Sequence, residues 1–229
     1  MSKHHLYFFL FFFIFSCINS IKADPTVLDQ LDVEVNTKEV TGITFNSTGT
    51  RLYVVGSRGN DRISEYSLSV GFDLSSTVTH LGFISNHEDG LGPHDPVRAE
   101  TGGWRPQDIK FSNDGSKMFL PMLAFTGGTT GVHQLDLSNP FDLSTATSEY
   151  YFAPVSVTSG NPTGIEFNDT GTKMFLTIGT EVKEYSLSSA FDLQSTVTLV
   201  RSVDLSAQTG GLYELSLIHI SEPTRQSLI

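Results

Sequence analysis

One cysteine and one tryptophan occur in 229 residues, and basic side chains are outnumbered, 14 Lys and Arg against 25 Asp and Glu. A lone cysteine, Cys17, rules out an internal disulfide framework. A net charge of -11 repels a phosphate backbone, and no cluster of Lys and Arg offers a basic patch against it, so nucleic acid is set aside as a partner. Only 17% of residues are charged while 38% are hydrophobic and 11% aromatic, a balance foreign to coiled coils and to disordered chains. Gly-x-Ser-x-Gly, a phosphate-binding loop and a dinucleotide fingerprint are all missing. No apolar run reaches the ~20 residues needed to span a bilayer as a helix. What is present is Gly, Ser, Thr and Phe in quantity, the composition of a β-rich globular chain.

The two ends differ from the rest. Lys3, His4 and His5 precede an apolar run from Leu6 to Phe15, and small and polar residues follow as far as Ala23. This is the order of a secretory signal, with cleavage expected after Ala23 and Ile21 and Ala23 at the two positions the peptidase reads. The product is expected to be secreted, extracellular or periplasmic, without cysteine. Cys17 follows Ile14-Phe15-Ser16, a loose likeness to a lipoprotein box, but Phe15 is too large for that pattern and a lipid anchor is not expected. At the far end, Leu215-Ser216-Leu217-Ile218-His219-Ile220-Ser221-Glu222-Pro223-Thr224-Arg225 reads, codon by codon, like the translated transposon-end adapter of DNA sequencing libraries. Residues 215–229 are therefore expected to be foreign to the fold, leaving 24–214 as the structural region.

Within residues 24–214 the same pattern recurs three times. Thr41-Gly42-Ile43-Thr44-Phe45-Asn46-Ser47-Thr48-Gly49 aligns with Gln107-Asp108-Ile109-Lys110-Phe111-Ser112-Asn113-Asp114-Gly115 and with Thr163-Gly164-Ile165-Glu166-Phe167-Asn168-Asp169-Thr170-Gly171. A second block follows each time, beginning Glu65-Tyr66-Ser67-Leu68, Gln134-Leu135-Asp136-Leu137 or Glu184-Tyr185-Ser186-Leu187 and closing on Phe-Asp-Leu at 72–74, 141–143 and 191–193. The alternation Ile43/Phe45, Ile109/Phe111 and Ile165/Phe167 is that of a strand. Gly49, Gly115 and Gly171 then supply a tight turn that needs positive φ. Third strands are predicted around Ile63/Tyr66/Leu68, Val132/Leu135/Leu137 and Val182/Tyr185/Leu187, and fourth strands over Val78–Ile84, Thr147–Phe152 and Val197–Val203.

Four short antiparallel strands per unit, recurring every 66 and 56 residues, predict an all-β chain built of propeller blades. On these motifs the chain resembles the YVTN-type and WD-repeat-like propellers of secreted microbial proteins, over about residues 30–210, although it lacks the Trp-Asp dipeptide of true WD repeats. The blades are expected at about 40–85, 106–153 and 162–204, with a fourth opening from Thr209. Three cannot close a ring, which takes about four to eight, so the ring is expected to be incomplete. Val27–Val35, with Leu28, Leu31, Val33 and Val35 alternating, is expected to be an outer strand donated to the last blade.

Antiparallel order places two kinds of connection on opposite faces. The Asn-x-x-Gly turns and Phe-Asp-Leu connections are uniform; those joining second to third strands, and one blade to the next, vary. Function rides on variable loops over a rigid scaffold. The longest, 86–105, offers His87, His94, Asp95, Arg98, Trp104 and Arg105, and with Phe125 of the loop 125–130 it is the candidate ligand-binding surface, mixing aromatic, basic and acidic groups. His87, Asp89, His94 and Asp95 are donor types suited to zinc or manganese, and the carboxylates alone to calcium, but no recognised ligand spacing is present. Asp73, Asp142 and Asp192 are expected to hold local backbone amides, not an ion. Asn46-Ser47-Thr48 and Asn168-Asp169-Thr170 match the glycosylation sequon but coincide with the repeat's turn.

The function expected is a secreted binding module for a protein, glycan or small molecule. The alternative is a lactonase-like propeller hydrolase with a divalent cation in the central channel, which the resemblance also allows. The tail has its own test: sequencing the source DNA with a different library chemistry is expected to replace everything from about Leu215 with further repeats of the Gly-Ile-x-Phe type, and recovery of the same tail would overturn that reading.

Overall fold

The structure, a computed structural model, describes residues 27–57, 62–85, 104–124, 130–152 and 160–209. Three antiparallel sheets follow one another along the chain. The first runs β1 (Val40–Phe45), β2 (Arg51–Gly56), β3 (Arg62–Leu68) and β4 (Val78–Ser85), each paired with the next. In the second, β5 (Trp104–Pro106) and β6 (Lys110–Phe111) share the place of a single first strand against β7 (Lys117–Ala124), followed by β8 (Gly131–Leu137) and β9 (Ala146–Phe152). The third is β10 (Pro162–Phe167), β11 (Lys173–Ile178), β12 (Glu181–Leu187) and β13 (Val197–Asp204). These are three blades of a β-propeller, in an arc.

The turn between the first two strands explains why the repeat keeps its glycine. Gly49, Gly115 and Gly171 sit at φ 71°, 73° and 67°. A Cβ at each would collide with the ring of Phe72, Phe141 or Phe191. Each Phe folds back over its glycine and donates its amide to that glycine's carbonyl, at 3.1, 3.0 and 2.9 Å. The phenylalanines themselves take positive φ, 58°, 60° and 51°, a conformation rare for a bulky residue and held here by the ring contact and the hydrogen bond. The next residue, Asp73, Asp142 or Asp192, accepts the amide two residues on at 2.9, 3.1 and 3.1 Å, the structural role expected of these aspartates.

Strands buried on both faces hold the blades together. Tyr53, Val55 and Ile63 of blade one meet Ile109, Phe111, Met118 and Leu120 of blade two in one apolar cluster. Phe119 and Val132 of blade two meet Ile165, Phe167, Met174 and Leu176 of blade three in another. Two contacts repeat across both junctions. Tyr53 meets Phe111, and Phe119 meets Phe167, in tilted ring pairs with centroids 4.6 Å apart. The buried Glu65 accepts the amide of Leu143 at 3.1 Å, and the equivalent Gln134 that of Leu193 at 2.7 Å. A side chain from the third strand of one blade thus satisfies the Phe-Asp-Leu turn of the next, a backbone group that would otherwise be buried without a partner.

Two expectations change. Val27–Val35 forms no strand: residues 34–36 make a turn, and Leu31 and Val33 pack on the outer face of blade one over Leu52, Val54, Tyr66 and Leu68. Its alternation was apolar enough for a strand, but no strand edge pairs with it among the described residues. Trp104 and Arg105, assigned to the long loop, belong to β5, in register with Ala124 and Leu123. Ser206–Thr209 makes a single helical turn, and the rest of the expected fourth opening, 210–214, lies outside the described residues.

Because Gly115 is locked under Phe141, Gly115→Ala is expected to cost about 2 kcal/mol or more in urea unfolding, the strain of positive φ added to the ring collision. A change below about 0.5 kcal/mol would show that the turn does not need glycine.

Candidate functional site

The two rims of the arc differ as the sequence suggests. On one rim lie the glycine turns at 46–50, 112–116 and 168–172 and the Phe-Asp-Leu connections, alike in all blades. On the other lie 179–180 and the strand ends that flank 58–61, 86–103, 125–129 and 153–159, segments outside the described residues. Anchors of this variable rim include Thr130, whose hydroxyl donates to Asn161 Oδ1 at 3.1 Å, and Thr180, which donates to Asp204 Oδ1 at 3.2 Å. Since Trp104 pairs with Ala124, the segments 86–103 and 125–130 leave from neighbouring strand ends. His87, His94, Asp95, Arg98 and Phe125 lie outside the described residues, as does the side chain of Trp104; Arg105 is half-buried on β5.

The first strands line the inner edge of the arc. Each is irregular at the same place: the register shifts between Val40 and Gly42 and between Pro162 and Gly164, and the strand breaks between β5 and β6. Asp108 occupies that break. Its carboxylate accepts the amide of Ile109 at 2.8 Å and, across the junction, that of Ile165 at 3.1 Å. Burial pushes the Asp108 carboxyl above the ordinary range, against the opposing pull of the two amides and Lys110. Thr41 Oγ1 donates to the Pro106 carbonyl at 3.0 Å. A Cβ on Gly42 would stand 2.8 Å from the Asp108 Cα, so glycine lets blades one and two close here. Lys110 Nζ pairs with Glu166 at 2.8 Å, tying the inner edges of blades two and three.

This edge does not fit a catalytic cation. Both Asp108 oxygens already serve amides, Glu166 is neutralised by Lys110, and no group of three or more His, Cys, Asp or Glu occurs among the described residues. A different concavity opens on the outer side of the first junction: a cavity of about 370 Å³ between β4 and the Phe-Asp-Leu turn of blade two, lined in part by Arg51, Glu65, His80, Asp142 and Ser144. Arg51 pairs with Glu65 there. Burial raises the Glu65 carboxyl above its usual range and lowers His80, keeping the imidazole neutral to lower pH. Sequence reading missed Asp108 and Glu65, although Glu65 was visible as the first residue of the repeated second block.

No protein-family model matches the chain, and no curated protein does. Among solved structures it is similar to a 6-phosphogluconolactonase-like protein from Bacteroides fragilis, at 15% identity and a TM-score of 0.43, over 71% of this chain and 38% of that one. It is likewise similar to the periplasmic gluconolactonase of Pseudomonas aeruginosa, at 15% identity and a TM-score of 0.41, over 72% of this chain and 57% of that one. A third is the exo-β-1,3-galactanase of Phanerochaete chrysosporium with galactose, at 17% identity and a TM-score of 0.44, over 71% and 38%. The chain therefore spans less than two thirds of the length of each. These likenesses concern the fold.

Asp108 gives the inner edge a pH signature. Its carboxyl titrates higher folded than its ordinary value of 3.8, so the folded state holds the proton more tightly and the group's contribution to stability falls as pH rises through that window. Asp108→Asn, which cannot ionise, is expected to flatten this decline in unfolding free energy measured against pH; an unchanged profile would show that Asp108 does not titrate in the fold.

Proposed function

We propose that this chain is an exported, acidic propeller module whose variable rim binds a polar ligand, a glycan, a small molecule or a protein surface. One observation carries the reading: every variable connection emerges on the same rim, above blades whose other rim repeats one turn three times. Selection for packing alone has no reason to divide the rims in this way, whereas a binding surface on a rigid scaffold does. The pairing of β5 with β7 supports a shared surface formed by 86–103 and 125–130, with His87, His94, Asp95, Arg98, Trp104, Arg105 and Phe125 as its contact residues. Arg and His there would complement anionic or hydroxyl groups, and Trp104 and Phe125 would stack on a ring. Among the described residues no helix is long and apolar enough to cross a membrane.

A second reading is lactone hydrolysis, after the names of two of the neighbours. It would need a cation or a general base from outside the described inner edge, since Asp108 and Glu166 are already engaged.

Replacing 86–103 with a short Gly/Ser link is expected to leave the melting temperature nearly unchanged, because a surface loop carries little core, and to abolish binding to whatever ligand the full chain selects from a glycan and metabolite array. Loss of the fold would make the segment a structural plug, and survival of binding would move the site off this rim. Gluconolactone hydrolysis by the full chain, stopped by a chelator, would favour the second reading instead.

A further inference from the structure

The cavity of about 370 Å³ on the outer side of the first junction owes its room to one residue. Gly82 on β4 pairs in register with Glu65 on β3, and the ladder shifts immediately beside it, between Glu65 and Tyr66. Blade three repeats this geometry: Arg201 on β13 pairs with Glu184 on β12, with the shift between Glu184 and Tyr185. In blade two Tyr150 takes the corresponding place opposite Gln134. Of the three blades only the first has glycine there, and a Cβ on Gly82 would meet no atom within 4 Å among the described residues. Directly opposed residues of an antiparallel pair project from the same face of the sheet. The side chain missing at position 82 is therefore one that would stand beside Glu65, inside the cavity.

Blade three shows what stands beside this acid when the place is filled. Glu184 holds two cations, Lys173 Nζ at 2.9 Å and Arg201 Nε at 2.5 Å. Lys173 lies opposite Ser186 as Arg51 lies opposite Ser67, and Arg51 pairs with Glu65 as Lys173 does with Glu184. The two acids are equally buried, each 4% exposed. What Glu65 lacks is a counterpart of Arg201. The first junction also brings a second carboxylate, Asp142, to the cavity wall, together with His80, which burial keeps neutral to lower pH. Arg51 thus faces two acids across the cavity. An ionised carboxylate has about four acceptor sites, and Glu65 gives one oxygen to Arg51 and the other to the Leu143 amide, leaving a lone pair on each.

We propose that this cavity binds an alkylguanidinium from solution, its head on Glu65 and Asp142 in the place that Arg201 fills for Glu184. The ligand class is identified by the chain's own guanidinium at the equivalent position of blade three. A planar, weakly hydrated guanidinium also suits a partly buried carboxylate better than an ammonium does. Leu81, Phe83 and Ile84 give the wall an apolar stretch for the alkyl stem. The volume falls within the roughly 300 to 1,000 Å³ of small-molecule sites. This site adjoins the Phe-Asp-Leu turn of blade two and stands apart from the variable rim, so it does not rest on the function proposed for that rim.

Amide NMR spectra of the purified full chain, titrated with N-acetylarginine amide, test this. Saturable shifts are expected at Gly82, Leu143 and Ser144. N-acetylcitrulline amide, whose urea carries no charge, is expected to bind about tenfold more weakly, the loss of one hydrogen bond between charged groups. Ethylguanidinium separates the sources: affinity equal to that of the capped arginine identifies a free small cation, tighter binding of the capped arginine identifies a peptide side chain, and either supports the site. Gly82→Arg, which restores the side chain of blade three, is expected to abolish binding and keep a strand-rich circular dichroism spectrum. Should that variant fail to fold, Ser144→Arg carries the same test, because Gln194 already places a long side chain at the equivalent position with its amide on Asp192, as that of Ser144 is on Asp142. Absence of saturable shifts at these residues, equal binding of the citrulline compound, or binding indifferent to both substitutions would overturn the proposal.

Discussion

Everything in this structure depends on one repeated junction, in which the third strand of a blade reaches across to the Phe-Asp-Leu turn of the next. The turn is costly by itself: it places a phenylalanine at positive φ and leaves a leucine amide pointing into a buried seam. Glu65 and Gln134 satisfy those amides from the neighbouring blade, and the phenylalanine ring is held over a glycine that has no Cβ to obstruct it. Neither blade completes this arrangement alone, so strain within a blade is offset by contacts between blades, as expected of a repeat whose units share one core.

The inner edge solves the same problem by other means. Where β1 and β10 shift register at Thr41 and Thr163, blade two inserts Asp108, whose carboxylate takes amides from its own strand and from Ile165. A carboxylate so occupied is a structural clip, and the pairing of Lys110 with Glu166 beside it consumes the next candidate acid. With the uniform rim given over to turns, the rim that remains chemically varied is the one bearing 86–103 and 125–130. The binding surface proposed for this chain lies there.

Much of the fold was legible because turn residues and alternating apolar residues are local signals. Gly49, Gly115 and Gly171 announced the turns, and Ile43/Phe45 and its copies announced the strands, to within a residue or two. The roles of Phe72, Phe141 and Phe191 were not legible, since nothing in a phenylalanine signals a left-handed backbone; only the packing on glycine and the hydrogen bond to its carbonyl explain it. Glu65 and Gln134 were visible as aligned positions, but their partners lie on the next blade, beyond what local sequence conveys. Val27–Val35 misled because alternation describes an apolar face and does not supply the neighbouring edge that a strand requires. Trp104 was read as part of the loop 86–105, yet pairing with Ala124 draws it into β5. The candidate ligand residues His87, His94, Asp95, Arg98 and Phe125 rest on sequence pattern and on the strand ends that flank them.

Amide hydrogen exchange at Leu143 and Leu193 tests the central claim most directly. In the intact chain both are expected to be protected to the level of the strand amides, although they sit in turns. In Glu65→Ala, Leu143 is expected to fall to the exchange rate of an exposed turn while Leu193, held by Gln134, keeps its protection. If Leu143 stays as protected without Glu65 as with it, the blades are joined by apolar packing alone and the junction described here is not what holds the arc.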